Sequence, residues 1–345
     1  MPGTSPLDGK RCLVTGGAGF LGRNLVAALQ AKGCPVHVLD TEPSPEPRSD
    51  VRWFQCDVRK HADVLAACEG VDTVFHTAAV IEALTHARRS VVENIESINI
   101  GGTRNVIRVA QQSGVRRLVH TSSIVASFCM NAEGGDESAP YSTAPDLYTS
   151  TKIAGERAAL AANGKNGLLT CAIRPGGIYG PGERLTYGRL VRALKMGVPL
   201  VVFGDGSARL DYVYIDNLVD AELRAAERLV EGSPVCGQAY FLSDETPINA
   251  GQFSIELVKN MGLKTPLVRI PDAVARGVAA AWERLYQLFG VSKPLFTVAN
   301  VKLCDIDHYF SIDKAKRHLE YAPLVDTEEG LRRTAVEARE YFDSL

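Results

Sequence analysis

Along the first half of the chain, short apolar runs alternate with longer segments whose apolar residues recur every three or four positions. The runs RCLVTG (11–16), PVHVLD (35–40), VRWFQCDV (51–58), DTVFHTAA (72–79), RRLVHTSS (116–123) and LLTCAIRPG (168–176) have strand character. Between them, FLGRNLVAALQAKG (20–33) carries Leu21, Leu25, Val26 and Leu29 at helical spacing and stops at Gly33. ADVLAACEG (62–70), IESINIGGTRNVIRVAQQSG (95–114) and YTSTKIAGERAALAANG (148–164) are further helices. Strands that alternate with helices imply βαβ units, right-handed crossovers and a parallel sheet. The pattern predicts an α/β chain with a doubly wound parallel sheet over 1–180, to which a segment near 209–242 returns. Residues 181–345 are expected to form mainly a smaller, mixed α/β C-terminal domain.

Composition narrows the classes. The 345 residues are 46% hydrophobic and 23% charged, ordinary values for a soluble globular protein with a sizeable core. The net charge is −2 with no basic block, which argues against nucleic acid as a partner. The eight cysteines (12, 34, 56, 68, 129, 171, 236 and 304) are scattered without a CxxC pair. They read as reduced thiols of a cytosolic protein, with no metal site expected. MPGTSPLDGK lacks the apolar core of a signal peptide, and no run of apolar residues is long enough to span a bilayer. TEPSPEPRSD (41–50) is a loop. AVARGVAAAWERLYQLFGV, Ala273 to Val291, is apolar and aromatic with Arg276, Glu283 and Arg284 interleaved. Two readings stand for it: a helix lying on a membrane surface, or one covering a core or pocket.

The stretch TGGAGFLG places Gly16, Gly19 and Gly22 three apart, directly after a strand and opening a helix. Glycines there let the backbone turn tightly and approach a pyrophosphate, whose charge rests on the helix N-terminus, at Phe20 and Leu21 here. Asp40 ends the second strand, where a carboxylate accepts from both ribose hydroxyls and repels a 2′-phosphate. That favours NAD over NADP. Asp57 and Val58, at the end of the third strand, are candidates to flank the adenine; Asp57 reads equally as a strand-end cap.

YTSTK (148–152) sets a phenol and an ammonium at i and i+4, on one helical face. A neighbouring cation favours the phenolate, so Lys152 is expected to lower the Tyr148 pKa and suit it to take a proton from an alcohol. None of the other ten tyrosines has lysine at i+4.

TGGAGFLG, HTAA (76–79), HTSS (120–123) and YTSTK, in this order and spacing, resemble an extended short-chain dehydrogenase/reductase, a Rossmann-fold family. The resemblance covers nearly the whole chain. It implies a catalytic set of Ser123, Tyr148 and Lys152, with Ser122 the competing serine. It implies cofactor contacts from Thr77, Ala78 and Ala79, and from Pro175, Gly176 and Ile178 against the nicotinamide. Asn99 resembles the asparagine that positions the active-site lysine through water. Residues after about 180 would bind the substrate, and family members are often dimers through the helix bearing YTSTK.

Within that family, RPGGIYGPGE (174–183), RLDYVYIDNL (209–218), GQAYFLSDETPIN (237–249) and HYFSIDKAKRHLEYAP (308–323) are similar to bacterial 3β-hydroxysteroid dehydrogenases of the steroid Δ-isomerase family. They also resemble sterol-4α-carboxylate 3-dehydrogenases. The resemblance implies NAD-dependent oxidation of a 3β-hydroxyl, with or without Δ5–Δ4 isomerisation. A sugar-nucleotide epimerase or dehydratase and a non-catalytic NAD sensor are the rivals. Arg209 resembles an arginine that holds phosphate in sugar-nucleotide members; its other reading is an ion pair with Asp211 or Asp216. His76 is either a second acid/base or a packed histidine near the cofactor.

Overall fold

A computed structural model describes residues 5–44, 50–82, 88–127, 132–143, 146–292, 294–304 and 306–345. Part of the loop at 41–50 and Cys129 lie outside the described residues. Seven strands form the central sheet: β1 (Cys12–Thr15), β2 (Val36–Asp40), β3 (Val51–Gln55), β4 (Thr73–His76), β5 (Arg117–Thr121), β6 (Leu169–Pro175) and β7 (Ala239–Leu242). All neighbours are parallel, in the order 3-2-1-4-5-6-7. The fold is the doubly wound α/β sheet that the alternating pattern implies.

The strands read as continuous apolar runs because both faces are covered. Cys12, Val14, Val36, Val38, Phe75, Val119 and Cys171 share one apolar cluster with the helices Phe20–Ala31 and Ile215–Arg228. Leu13, Leu39, Val74 and Leu118 share a second with His61–Ala67, Thr103–Gln112 and Leu147–Ala161. Strand order reverses between β1 and β4, and the carboxyl ends of these neighbours open the crevice where such sheets bind ligands.

The expected helix 95–114 runs on from Arg89–Glu96 through a wider π-helical turn, Ser97–Gly102, into Thr103–Gln112. Gly102 sits tight against Val58, where a Cβ would lie 2.6 Å from the valine Cγ2. Widened turns of this kind occur often at functional sites.

The later part of the chain builds smaller sheets. Ile248–Asn249, Arg209–Leu210, His308–Phe310 and Ala132–Gly135 form one of four strands. Gly177–Tyr179 pairs with Tyr212–Tyr214, and Leu200–Phe203 with Leu267–Ile270. The helix Asp272–Phe289 buries only the small residues Ala275 and Ala279 and the carboxylate of Glu283. Val274, Val278, Leu285, Leu288 and Phe289 face outward. Of the apolar stretch after helix Tyr187–Lys195, Leu200 and Val202 are buried, whereas Met196 and Val198 are exposed. Among the described residues, no helix is long and apolar enough to cross a membrane.

Candidate active site

The glycine loop joins β1 to the helix Phe20–Ala31. Gly16 has φ +75°, and a Cβ there would lie 2.8 Å from the Ala78 Cα. A Cβ on Gly22 would lie 2.1 Å from the Gly16 carbonyl oxygen. The helix starts at Gly19 with no side-chain cap and no acidic residue in its first turn. Its first amides, at Phe20 and Leu21, therefore meet no competing carboxylate. This cradle of backbone that excludes side chains fits a dinucleotide pyrophosphate.

The HTAA segment closes the other wall. Thr77 donates from its amide and its hydroxyl to the Thr15 carbonyl, at 3.3 and 2.8 Å. The Ala78 amide donates to the Thr15 hydroxyl at 3.4 Å, with Ala79 next to it and partly exposed. Asp40 closes the loop from β2: its carboxylate accepts from the amides of Ala18 and Glu42 at 2.9 and 3.0 Å. Asp57 is engaged locally, in a forked ion pair with Arg59 and as acceptor of the Arg59 amide at 2.9 Å. The arginine beside it holds its carboxyl below the usual range. Val58 is buried against the widened helical turn.

Ser123, Tyr148 and Lys152 meet beyond the end of β5. Ser123 lies beside the Tyr148 phenol and favours its ionised form. Ser122, by contrast, is buried, and its amide bonds the Ile173 carbonyl at 2.6 Å. Asp146 caps the helix Leu147–Ala161 by accepting from the Thr149 amide, which fixes the first turn carrying Tyr148. The Lys152 Nζ lies 5.9 Å from the centre of the Tyr148 ring. Asn99 is buried; its side chain bonds the Val80 amide and carbonyl and donates to the Thr151 hydroxyl at 2.9 Å. It ties the end of β4 to the YTSTK helix and makes no direct bond to Lys152.

The expected lowering of the Tyr148 pKa by Lys152 is not met in this structure. Burial pushes the phenol up to about 12; the Ser123 hydroxyl opposes that and the Asp146 charge adds to it. Lys152 turns its ammonium to the Thr121 carbonyl, 2.6 Å away, and burial brings its own pKa down to about 8. A half-buried phenol beside a cation aimed elsewhere loses more from desolvation of its anion than that cation returns.

His76 is a packed histidine. Its ring nitrogens bond the Thr15 and Thr103 hydroxyls at 2.7 and 2.8 Å, and burial lowers its pKa to about 3. Below the site, Arg174 forks onto Glu156 at 2.9 and 2.6 Å inside the protein. Pro175 ends β6. A Cβ on Gly176 would lie 2.5 Å from the Asp211 carbonyl oxygen, and Ile178 is partly exposed on the adjoining strand.

A family model described as the 3-beta hydroxysteroid dehydrogenase/isomerase family matches residues 13–271. A Mycobacterium tuberculosis protein named 3 beta-hydroxysteroid dehydrogenase/Delta 5-->4-isomerase is 41% identical over 342 residues, covering 97% of this chain and 91% of that one. The chain belongs to the 3-beta hydroxysteroid dehydrogenase/isomerase family. Human sterol-4-alpha-carboxylate 3-dehydrogenase, decarboxylating, is 34% identical over 331 residues, 94% of this chain and 87% of that one. The solved structure of MoeE5 in complex with UDP-glucuronic acid and NAD superposes with a TM-score of 0.76 at 23% identity. It covers 97% of this chain and 100% of that one, and it shares the fold.

Within this family member, Arg209 pairs with neither Asp211 nor Asp216. The parallel pairing of Arg209–Leu210 with His308–Phe310 brings Asp307 to its guanidinium, at 2.9 Å from Nε, and Tyr309 stacks on it at 4.7 Å. Asp211 is instead buried and accepts from the Phe310 amide at 2.8 Å, while Asp216 faces Arg333. Sequence reasoning also missed Thr121 and Glu222 beneath Lys152. The signal lay in the spacing of Leu218, Glu222 and Ala225, which puts the glutamate on the core face of its helix.

Proposed function

We propose that the protein is an NAD-dependent 3β-hydroxysteroid dehydrogenase. The observation that carries this reading is the meeting of Ser123, Tyr148 and Lys152 beside a side-chain-free glycine cradle, in a chain of this family. The cradle of Gly16, Gly19 and Gly22, the amides of Phe20 and Leu21, and Asp40 would hold NAD. Thr77, Ala78, Ala79, Asn99, Pro175, Gly176 and Ile178 would line its further path, with Asp57 and Val58 toward the adenine. NAD, when bound, accepts the hydride from the alcohol carbon. Tyr148 takes the hydroxyl proton, Ser123 hydrogen-bonds the reacting oxygen, and Lys152, 5.9 Å from the Tyr148 ring, would act on the phenolate only after turning from the Thr121 carbonyl. Residues 1–180 with the returning segment serve the cofactor, and 181–345 mainly the substrate.

A steroid offers one hydroxyl on a broad apolar body, which suits a site with one polar end and apolar cover. The row Val274, Val278, Leu285 and Leu288, with Phe289, would serve as that cover or touch a lipid surface; a cytoplasmic enzyme in peripheral contact with a bilayer fits both. Flotation with anionic vesicles tests the contact, and a Leu288→Asp, Phe289→Asp variant that floats equally well would refute it. A 4α-carboxylated sterol is the second substrate reading, supported by the human relative. The sugar-nucleotide reading is disfavoured because Asp307 already occupies Arg209.

Incubation with NAD and a panel of 3β-hydroxysteroids, followed at the NADH band, tests the assignment. Turnover that disappears in Tyr148→Phe while NAD still binds is the expected result. Silence across the panel, with carboxylated sterols included, overturns the substrate class. Product spectra from the same assay report whether the Δ5 double bond migrates.

A further inference from the structure

Thr121 ends β5 and is bonded from both faces of the sheet. From the helix Leu147–Ala161, the Lys152 Nζ donates to its carbonyl at 2.6 Å. From the helix Ile215–Arg228 on the opposite face, Glu222 accepts from its hydroxyl at 2.7 Å. Glu222 is fully buried, and its second carboxylate oxygen has no hydrogen-bond partner. A carboxylate without water or partners costs several kcal/mol unless a cation compensates it or a proton neutralises it.

Of the other groups around this pair, Glu156 also favours the Lys152 ammonium, and the rest are uncharged or paired elsewhere. Glu156 acts on Lys152 ahead of Glu222, but its carboxylate is shared with the Arg174 fork and with the Tyr141 hydroxyl at 2.8 Å. His76 and His120 face Lys152 from β4 and β5, and burial keeps both uncharged. Cys171 faces Glu222 from β6, its thiol pushed far up by burial. Arg117, at the start of β5, pairs with Asp72. Lys152 is the cation that acts on Glu222.

We propose that Glu222 is a positioning residue for this site: beside Glu156, it supplies counter-charge that helps keep Lys152 an ammonium, with Thr121 as the bridge across the sheet. Two lines of physics agree with the geometry. Burial brings Lys152 down to about 8 and Glu222 up to about 7, so both would lose their charges near neutral pH if separated. Each charge favours the ionised form of the other. The effect on turnover rests on the dehydrogenase reading, whereas the charge pairing does not.

The test follows Lys152 itself. In protein carrying carbon-13 at the lysine Cε and free of cofactor, the Lys152 signal is assigned by its loss in Lys152→Met and titrated with pH. Glu222→Gln keeps the shape and an acceptor for Thr121 but removes the charge. The titration midpoint is expected to fall by about one pH unit, and by less in Thr121→Val. With NAD and a 3β-hydroxysteroid, the alkaline limb of the pH–rate profile should move down with it. A merely structural role would lower the melting temperature without moving either midpoint. An unchanged Lys152 midpoint in folded Glu222→Gln overturns the proposal; if that variant does not fold, an unchanged midpoint in Thr121→Val does so. A midpoint that moves in a protein inert toward every steroid supports the pair and overturns the substrate reading instead.

Discussion

The glycine loop at the end of β1 and the helix Asp272–Phe289 solve opposite problems. The loop is defined by absent atoms: a Cβ at Gly22 would lie 2.1 Å from a carbonyl oxygen and 2.7 Å from the Gly17 Cα. The helix is defined by surplus ones, with Leu288 68% and Phe289 73% exposed and only alanines and a glutamate turned inward. Backbone-to-backbone fit tolerates one ligand shape, because no rotamer can yield. An outward apolar row can be re-lettered without disturbing what lies beneath it. In such a division the cofactor is fixed by geometry, and the partner of the apolar face by a few replaceable side chains.

Four variants would break or sharpen that contrast. Gly22→Ala is expected to abolish measurable NAD binding by calorimetry, because the neighbours of the new methyl are backbone atoms that cannot move aside. Retained affinity would mean that the loop is less rigid than its contacts imply.

Next comes Asp211, which bonds the Phe310 amide while its carbonyl accepts from the Gly177 amide. Burial pushes the Asp211 carboxyl from 3.8 up to about 7. Its folded pKa is raised, so the stability it contributes is present below 3.8 and is lost as pH rises through about 7. Asp211→Asn cannot lose that contribution. Its stability relative to the native chain should improve across this window by about 2–4 kcal/mol in denaturant melts. A difference that stays flat with pH would place the charge in contact with water.

Leu285→Ser with Leu288→Ser should raise the steroid KM by about tenfold, the value of a few buried methylenes, and leave NAD affinity unchanged. An effect on NAD instead would erase the division between the regions. The smallest effect belongs to Arg209→Ala. Its guanidinium is exposed and engaged by Asp307, so steroid KM should stay within about twofold of the native value. A large loss would revive a phosphate-bearing substrate.

The sheet and the glycine loop were legible because their signals are local. A strand of four residues, a glycine triplet and the following helix sit within Cys12–Ala31. Ser123 and Tyr148 could be named as candidates from the chain alone, and the burial of Ser122 gives the choice between the serines a physical basis. What stayed hidden depends on chain that is distant in sequence. Asp307 reaches Arg209 only through strand pairing, and Glu222 reaches Thr121 only across the sheet. The Tyr148 pKa was misjudged for a related reason: i,i+4 spacing reports proximity to Lys152, not desolvation of either group or the carbonyl that attracts the ammonium.

The seventh strand carries a consequence for how the chain is made. Ala239–Leu242 pairs with Leu169–Pro175, which is buried and apolar, yet it follows a long excursion through the smaller sheets. A nascent chain that has emerged from the ribosome only as far as Tyr179 therefore presents Leu169–Pro175 as a bare edge. Such an edge is a template for pairing with other chains. The hazard ends when residue 242 is released, so slow translation between those points would favour aggregation.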